Sequence, residues 1–170
     1  MNPDALKSYQ EKRNFAVTSE PNPPKIADKR ANSKKMIFVV QEHHSRQLHY
    51  DFRLEVDGVL KSWAVPKGLS MNPKDKRLAV QTEDHPIEYA SFEGTIPEGE
   101  YGAGTVVIWD RGIYNNRSNK DGQEISLSQA LKSGHASFWL EGKRLQGGFA
   151  LTRTPRGWLL VKMRDEKAES

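Results

Sequence analysis

"LHYDFRLEV", residues 48–56, alternates without a break: His49, Asp51, Arg53 and Glu55 interleave with Tyr50, Phe52, Leu54 and Val56. A period of two sends successive side chains to opposite faces of a strand. One face is therefore aromatic and aliphatic, and the other carries an imidazole, a guanidinium and two carboxylates. Thr, Lys or Glu would serve for solubility alone, so this choice needs a chemical reason. If Tyr50 to Val56 fill an interior, then His49, Asp51 and Arg53 lie on its outer wall, each about 7 Å from the next. A site built on them sits in an outer groove and not in the mouth of a barrel.

The surrounding chain reads as strand as well. "MIFVV" (36–40) is short, β-branched and aromatic, and Asp57-Gly58 between two strand-like runs marks a hairpin. Past the loop "PKGLSMNPKDK" come "RLAVQTE", "GTVVIWDRGIY", "HASFWLEGKRLQ", "GGFALTRT" and "GWLLVKMR". Only "ISLSQALKSG" (125–134) reads as a short helix, stopped at Gly134. Many short strands between Gly and Pro turns predict an all-β chain: a single closed or nearly closed β-barrel over 36–165 with a tail at 166–170. Trp63, Trp109, Trp139 and Trp158 fall in four different strands and are expected to help fill one core.

Residues 1–35 differ from this body. They are poor in large apolar side chains, contain "EPNPPK", and predict a flexible N-terminal arm with a short helical turn near 4–13. The arm holds eight Lys or Arg against four acids, whereas the remainder is balanced at 18 of each, so the net charge of +4 resides in the arm. A basic arm suits a polyanion such as DNA, and a solubilising tail is the alternative. The 170 residues fit one domain, no apolar run reaches membrane-spanning length, no secretory signal is read, and there is no cysteine. Disulfides and thiolate metal sites are excluded, a cytoplasmic location is expected, and any metal must be held by nitrogen and oxygen.

Four of the five histidines lie between 43 and 85. His43 and His44 end the strand before His49, and "EDHPIEY" (83–89) adds His85, Tyr89 and three acids. Imidazoles with one carboxylate suit Mn2+, Fe2+ or Zn2+ and leave coordination positions open for water or a phosphate oxygen. Arg53, Lys67 and Arg77 are candidates for the remaining phosphate oxygens, and His85 for supplying a proton or binding developing charge. "PEGEYGAGTV" (97–106) has loop-like glycines but no Gly-Lys-Ser/Thr ending, and reads as a turn into a strand.

The motifs His-x5-His-x-Asp-x-Arg from His43, Val65-Pro-Lys-Gly, Glu83-Asp-His-Pro and Gly94-x-Ile-Pro-Glu-Gly occur together and in order. In this the chain resembles the 3'-phosphoesterase domain of bacterial DNA ligase D and its free-standing relatives, closely from Phe38 to Tyr114 and more loosely to about Met163. The resemblance implies a β-barrel with an outer-groove site. It implies an activity that trims DNA or RNA 3' ends bearing a ribonucleotide or a 3'-phosphate, with Mn2+ or another divalent ion such as Co2+ or Zn2+. It implies His43, His49 and Asp51 as metal ligands, and Arg53, His85 and Tyr89 at the reacting phosphate, with Lys67 and Arg77 in support. A DNA ligase, a polymerase or Ku-type end-joining proteins are the partners it implies. No polymerase or ligase region is attached, so a stand-alone enzyme or an excised domain is expected. Where the family's arm reads Arg-Asp-Phe, this chain has Arg13-Asn14-Phe15, with Arg13 and Glu20 remaining as expected substrate contacts. Two competing readings are a non-catalytic 3'-end-binding module and a cupin-like metalloenzyme. The cupin reading requires the metal group inside the barrel.

Overall fold

At the Asp57-Gly58 hairpin both residues have positive φ, 52° and 83°, the two-residue type I′ turn that follows strand twist. It joins β2 (Leu48–Val56) to β3 (Val59–Val65), paired from Val56↔Val59 to Tyr50↔Val65. The computed structural model describes residues 5–22 and 35–169. Besides these two strands it contains β1 (Met36–His44), β4 (Arg77–His85), β5 (Gly94–Ile96), β6 (Gly104–Asn116), β7 (Asn119–Lys120), β8 (Gln123–Glu124), β9 (His135–Glu141), β10 (Gln146–Thr154) and β11 (Gly157–Lys162). Pairing runs β1-β2-β3-β4-β11-β10-β9-β6 and back to β1, an antiparallel barrel of eight strands. β5 adds to the end of β6, and β7 with β8 forms a separate hairpin. These three short strands have no period long enough to read from sequence.

The expected helix is α2 (Leu127–Ser133), with a Ser126–Gln129 capping box and Gly134 left-handed at its end. The inward faces of the strands fill the barrel with Phe52, Leu54, Trp63, Val65, Phe138, Leu140, Phe149 and Leu151, each at most 1% exposed. Phe52 stacks on Phe138 with centroids 5.8 Å apart. One correction concerns the tryptophans. Trp63 and Trp158 meet edge-on in the core and Trp109 packs at its margin, but Trp139 lies outside beneath Arg117. With Ala136, Phe138 and Leu140 turned inward, the pleat leaves Trp139 no other direction.

A second apolar cluster sits on the outer wall, where Val39 and Leu60 meet Ile87, Tyr89 and Ala90 of a 3-10 turn (Ile87–Ser91), Phe92 just after it and Tyr9 of α1 (Lys7–Glu11). The expected helical turn near 4–13 is therefore present, and Tyr9, Thr18 and Glu20 are buried on the wall. The rest of the expected arm, 1–4 and 23–34, lies outside the described residues. Among the described residues, no helix is long and apolar enough to cross a membrane.

Candidate active site

The antiparallel register of β1 and β2 sets His43 opposite His49, Gln41 opposite Asp51 and Val39 opposite Arg53. Directly opposed residues are the nearest side-chain neighbours a sheet offers. The two imidazoles stand with centroids 4.7 Å apart, and His43 Nδ1 lies 3.2 Å from His49 Nε2. The other nitrogens point to carbonyls, His43 Nε2 to Gly102 at 2.8 Å and His49 Nδ1 to Gln47 at 3.4 Å. A carbonyl only accepts, so those nitrogens carry the protons and the facing pair presents lone pairs. Asp51 Oδ2 lies 3.6 Å from His43 Nδ1, and its Oδ1 3.3 Å from His49 Nε2. Two facing lone pairs beside a carboxylate favour a cation or an added proton among them. With ligand atoms all within 4.8 Å of one another, His43, His49 and Asp51 form a group able to hold a metal ion, and backbone carbonyls orient both imidazoles.

Electrostatics agree with this geometry. Burial pushes the Asp51 carboxyl up, but with an added proton on the facing imidazole nitrogens the hydrogen bonds from His43 and His49, together with the charge of Arg53, outweigh it and hold the pKa well below the usual range. The hydrogen bond to Asp51 raises His49 above an ordinary imidazole against the opposing effect of burial.

Arg53 is clamped on all sides. Its Nε donates to Gln41 Oε1 at 2.7 Å, Nη1 lies 3.1 Å from His85 Nδ1, and Nη2 lies 3.6 Å from Asp51 Oδ2. Gln41 is itself fixed, because its amide donates to the carbonyls of Tyr89 and Phe92. The Arg53 guanidinium sits 4.8 Å from the Tyr89 ring centre, and Tyr89 donates its hydroxyl to Glu20 at 2.7 Å. Burial pushes the Tyr89 phenol far up, so it stays protonated. His85 reaches this face through a bulge: Ser62 pairs with Thr82 and Leu60 with His85, which places one extra residue in β4. Burial, then Arg53, then Arg13 drive the His85 pKa well below its ordinary value, so its ring is neutral.

The covering segment contributes Arg13. Its Nε donates to Glu20 at 2.8 Å and Nη1 to Glu83 at 3.1 Å, while Nη2 lies 3.4 Å from His85 Nε2. The outer wall is not left in water. Asp51, Arg53 and Glu55 are 7%, 3% and 4% exposed: Asp51 is enclosed by His43, His49 and Arg53, Arg53 is covered by the Tyr89 ring, and Glu55 accepts from the Ile37 N–H. The outer groove is nonetheless where the metal group lies, and the barrel interior is aromatic and aliphatic, which excludes the cupin-like arrangement.

A cavity of about 410 Å³ joins these parts. His43, His49, Asp51, Arg53, His85, Tyr89 and Arg13 all line it; Glu20 lies behind Tyr89. Lys67 and Arg77 do not line it: Lys67 is exposed in the loop after β3, and Arg77 pairs with Asp75 at 3.7 Å. Asn14 is exposed, and its side-chain oxygen accepts from the Ala16 N–H, a bond an aspartate would also make. Sequence reasoning missed Gln41, Arg46, Thr82, Tyr101 and Gly102 and left Glu83 without a role. Gln41 was the findable one, two residues before His43 on the same face. The others depend on loops and a bulge that period-two patterns do not encode.

Comparison with known proteins covers most of the chain. The family described as the DNA Ligase D 3'-phosphoesterase domain matches residues 41–153. The multifunctional non-homologous end joining protein LigD of Pseudomonas aeruginosa is 47% identical over 170 residues, covering 97% of this chain and 19% of the relative. The LigD proteins of Mycolicibacterium smegmatis and Mycobacterium tuberculosis are each 46% identical over 165 residues, covering 96% of this chain and 21% and 20% of the relatives. The chain thus spans about a fifth of the length of the curated relatives it matches. With the barrel, the cavity and these matches in agreement, the chain belongs to the DNA ligase D 3'-phosphoesterase domain family.

Proposed function

We propose that this chain heals nucleic-acid 3' ends as a metal-dependent phosphoesterase, removing a 3'-phosphate or a 3'-terminal ribonucleoside and leaving a 3'-hydroxyl. The observation that carries this reading is one cavity with the His43–His49–Asp51 group on one side and Arg53, His85 and Arg13 on the other. His43, His49 and Asp51 would hold Mn2+, or Co2+ or Zn2+. When bound there, such an ion supplies Lewis-acid chemistry by withdrawing negative charge from a phosphate oxygen.

The protein's own groups do the rest. Arg53, locked through Nε by Gln41, presents its two terminal nitrogens to the phosphate in a fixed fork. Such preorganised donors stabilise charge that grows in the transition state without reorganising. His85 is neutral while two guanidiniums face it. A phosphate seated against Arg13 and Arg53 cancels their charge, so the ring can then hold a proton at Nε2 and deliver it to the departing oxygen. Tyr89, protonated and tied to Glu20, walls the site and supports the Arg53 plane. Thr82 has a buried hydroxyl on the cavity wall with no hydrogen-bond partner among the described residues, available to a substrate oxygen.

In this reading Lys67 and Arg77, outside the cavity, serve longer substrates. A DNA ligase, a polymerase or a Ku-type end-joining protein would consume the repaired end, and the setting is cytoplasmic. The test is a labelled primer-template ending in a 3'-phosphate or in ribonucleotides, incubated with chelated protein and then with added Mn2+. New 3'-hydroxyl termini that appear only with the metal are expected. Tight binding of the end with no product under any divalent ion would make the chain a non-catalytic end-binding module instead.

A further inference from the structure

Among the described residues three arginines line the cavity, and two of them are already engaged. Arg13 is held by Glu20 and Glu83, and Arg53 by Gln41 and Asp51. The third, Arg46, makes no ion pair or side-chain hydrogen bond among the described residues. It stands at the tip of the β1–β2 hairpin, three residues after His43 and three before His49, which face each other at the hairpin base. From that base His49, Asp51 and Arg53 run into the wall at about 3.4 Å per residue. Arg53 and Arg46 therefore bracket the metal-competent group, one at its buried end and one at its open end.

Among the described residues that line the cavity, two are exposed, Arg46 and Tyr101. On the Tyr101 side the cations are already engaged, Lys12 and Arg13 with Glu83 and Lys61 with Asp84, and Lys12 covers the ring at 4.7 Å, so that side offers an entering polyanion less than Arg46 does. The Arg46 side offers an unpaired guanidinium. A strand whose terminal phosphate lies against Arg53 must leave the cavity, and it carries another negative charge for about every 3.4 Å of helix axis. We propose that Arg46 binds an internal phosphate of the substrate strand, upstream of the phosphate seated at Arg53, and so sets how the 3' end is threaded. The proposal rests on the end-healing reading in taking a nucleic-acid 3' end as the ligand.

The test is equilibrium binding of a 3'-phosphorylated oligodeoxynucleotide across a salt series, for the wild type, Arg46→Ala and Arg46→Lys. Each of the first three internal linkages is replaced in turn by an uncharged methylphosphonate. Arg46→Ala is expected to weaken binding about fivefold to tenfold, modest because the contact is at an exposed rim. It should flatten the slope of log affinity against log salt by about 0.7, one single-strand phosphate contact. Arg46→Lys should retain the slope and lose part of the affinity. At one of the three linkages the methylphosphonate should cost the wild type as much as Arg46→Ala does, and cost Arg46→Ala nothing further. Additive losses at all three linkages, or an unchanged salt slope in Arg46→Ala, overturn the proposal. An end that binds with this signature and is never processed overturns the phosphoesterase reading and leaves the Arg46 contact standing.

Discussion

β2 builds two dry layers from one strand. Inward, Phe52 and Leu54 are fully buried among hydrocarbon; outward, Asp51, Arg53 and Glu55 are buried almost as deeply. The inner layer is held by area and shape, where any apolar group of the right volume serves. The outer layer is held by partners: Asp51 between two imidazoles and Arg53, Arg53 by Gln41, and Arg13 by Glu20 and Glu83. A buried charge that loses its partner is costly, so the outer layer is rigid in geometry without being an efficient source of stability. The difference teaches that the two faces should fail in different ways.

The sharpest way to break that contrast is at the metal-competent group. His49→Ala and Asp51→Ala are each expected to abolish turnover and metal binding, with the barrel's circular dichroism retained. Chelation of the wild type should do the same, reversibly. Turnover surviving in either variant would remove the metal from the account. On the opposite face, Phe52→Ala should cost about 3–5 kcal/mol of stability in denaturant titration, by opening a cavity in the core. A fold loss from Asp51→Ala larger than that from Phe52→Ala would invert the comparison.

Arg53→Ala should lower the rate on a 3'-phosphate end by about 10²–10³. Arg53→Lys should recover only part of it, since an ammonium lacks the fork geometry. Calorimetric metal affinity should survive in both, because Arg53 touches Asp51 and not the lone pairs of His43 and His49. A wild-type rate in Arg53→Ala would reduce that residue to structural support.

Smaller effects concern the roof. Burial pushes the Glu83 carboxyl up, but a backbone hydrogen bond and the charges of Arg13 and Lys12 outweigh it and hold its pKa below the usual value. A depressed carboxyl contributes stability that is fully present above the unfolded pKa of about 4.3 and is lost as pH falls through the folded value. Hydrogen exchange of residues 5–22 should therefore accelerate below about pH 4 in advance of the barrel. Glu83→Gln should remove that acid step, and exchange of both layers in unison would deny the roof its separate polar basis. Asn14→Asp should change stability by less than about 0.5 kcal/mol, because either side chain can accept from the Ala16 N–H. A large gain in turnover from this substitution would give position 14 a role that its exposed place here does not explain.

Local pattern carried much of this molecule. The alternation of "LHYDFRLEV" determined which residues face inward, the Asp57-Gly58 turn determined the hairpin, and Ser126 with Gly134 bounded α2. The outward placement of His49, Asp51 and Arg53 followed from period two alone. Tertiary structure decided the rest, because it depends on contacts far apart in sequence. Only pairing β1 with β2 in register brings His43 to His49, and only the β4 bulge returns His85 to the face of Thr82. Only packing carries Tyr9, Arg13 and Glu20 across to His85, Glu83 and Tyr89, which dries a face that composition alone would leave in water. A strand's period is a property of neighbouring residues. Burial of its polar face depends on what folds over it, and here part of that cover is residues 5–22, which lie 27 to 50 residues before His49–Glu55 in sequence.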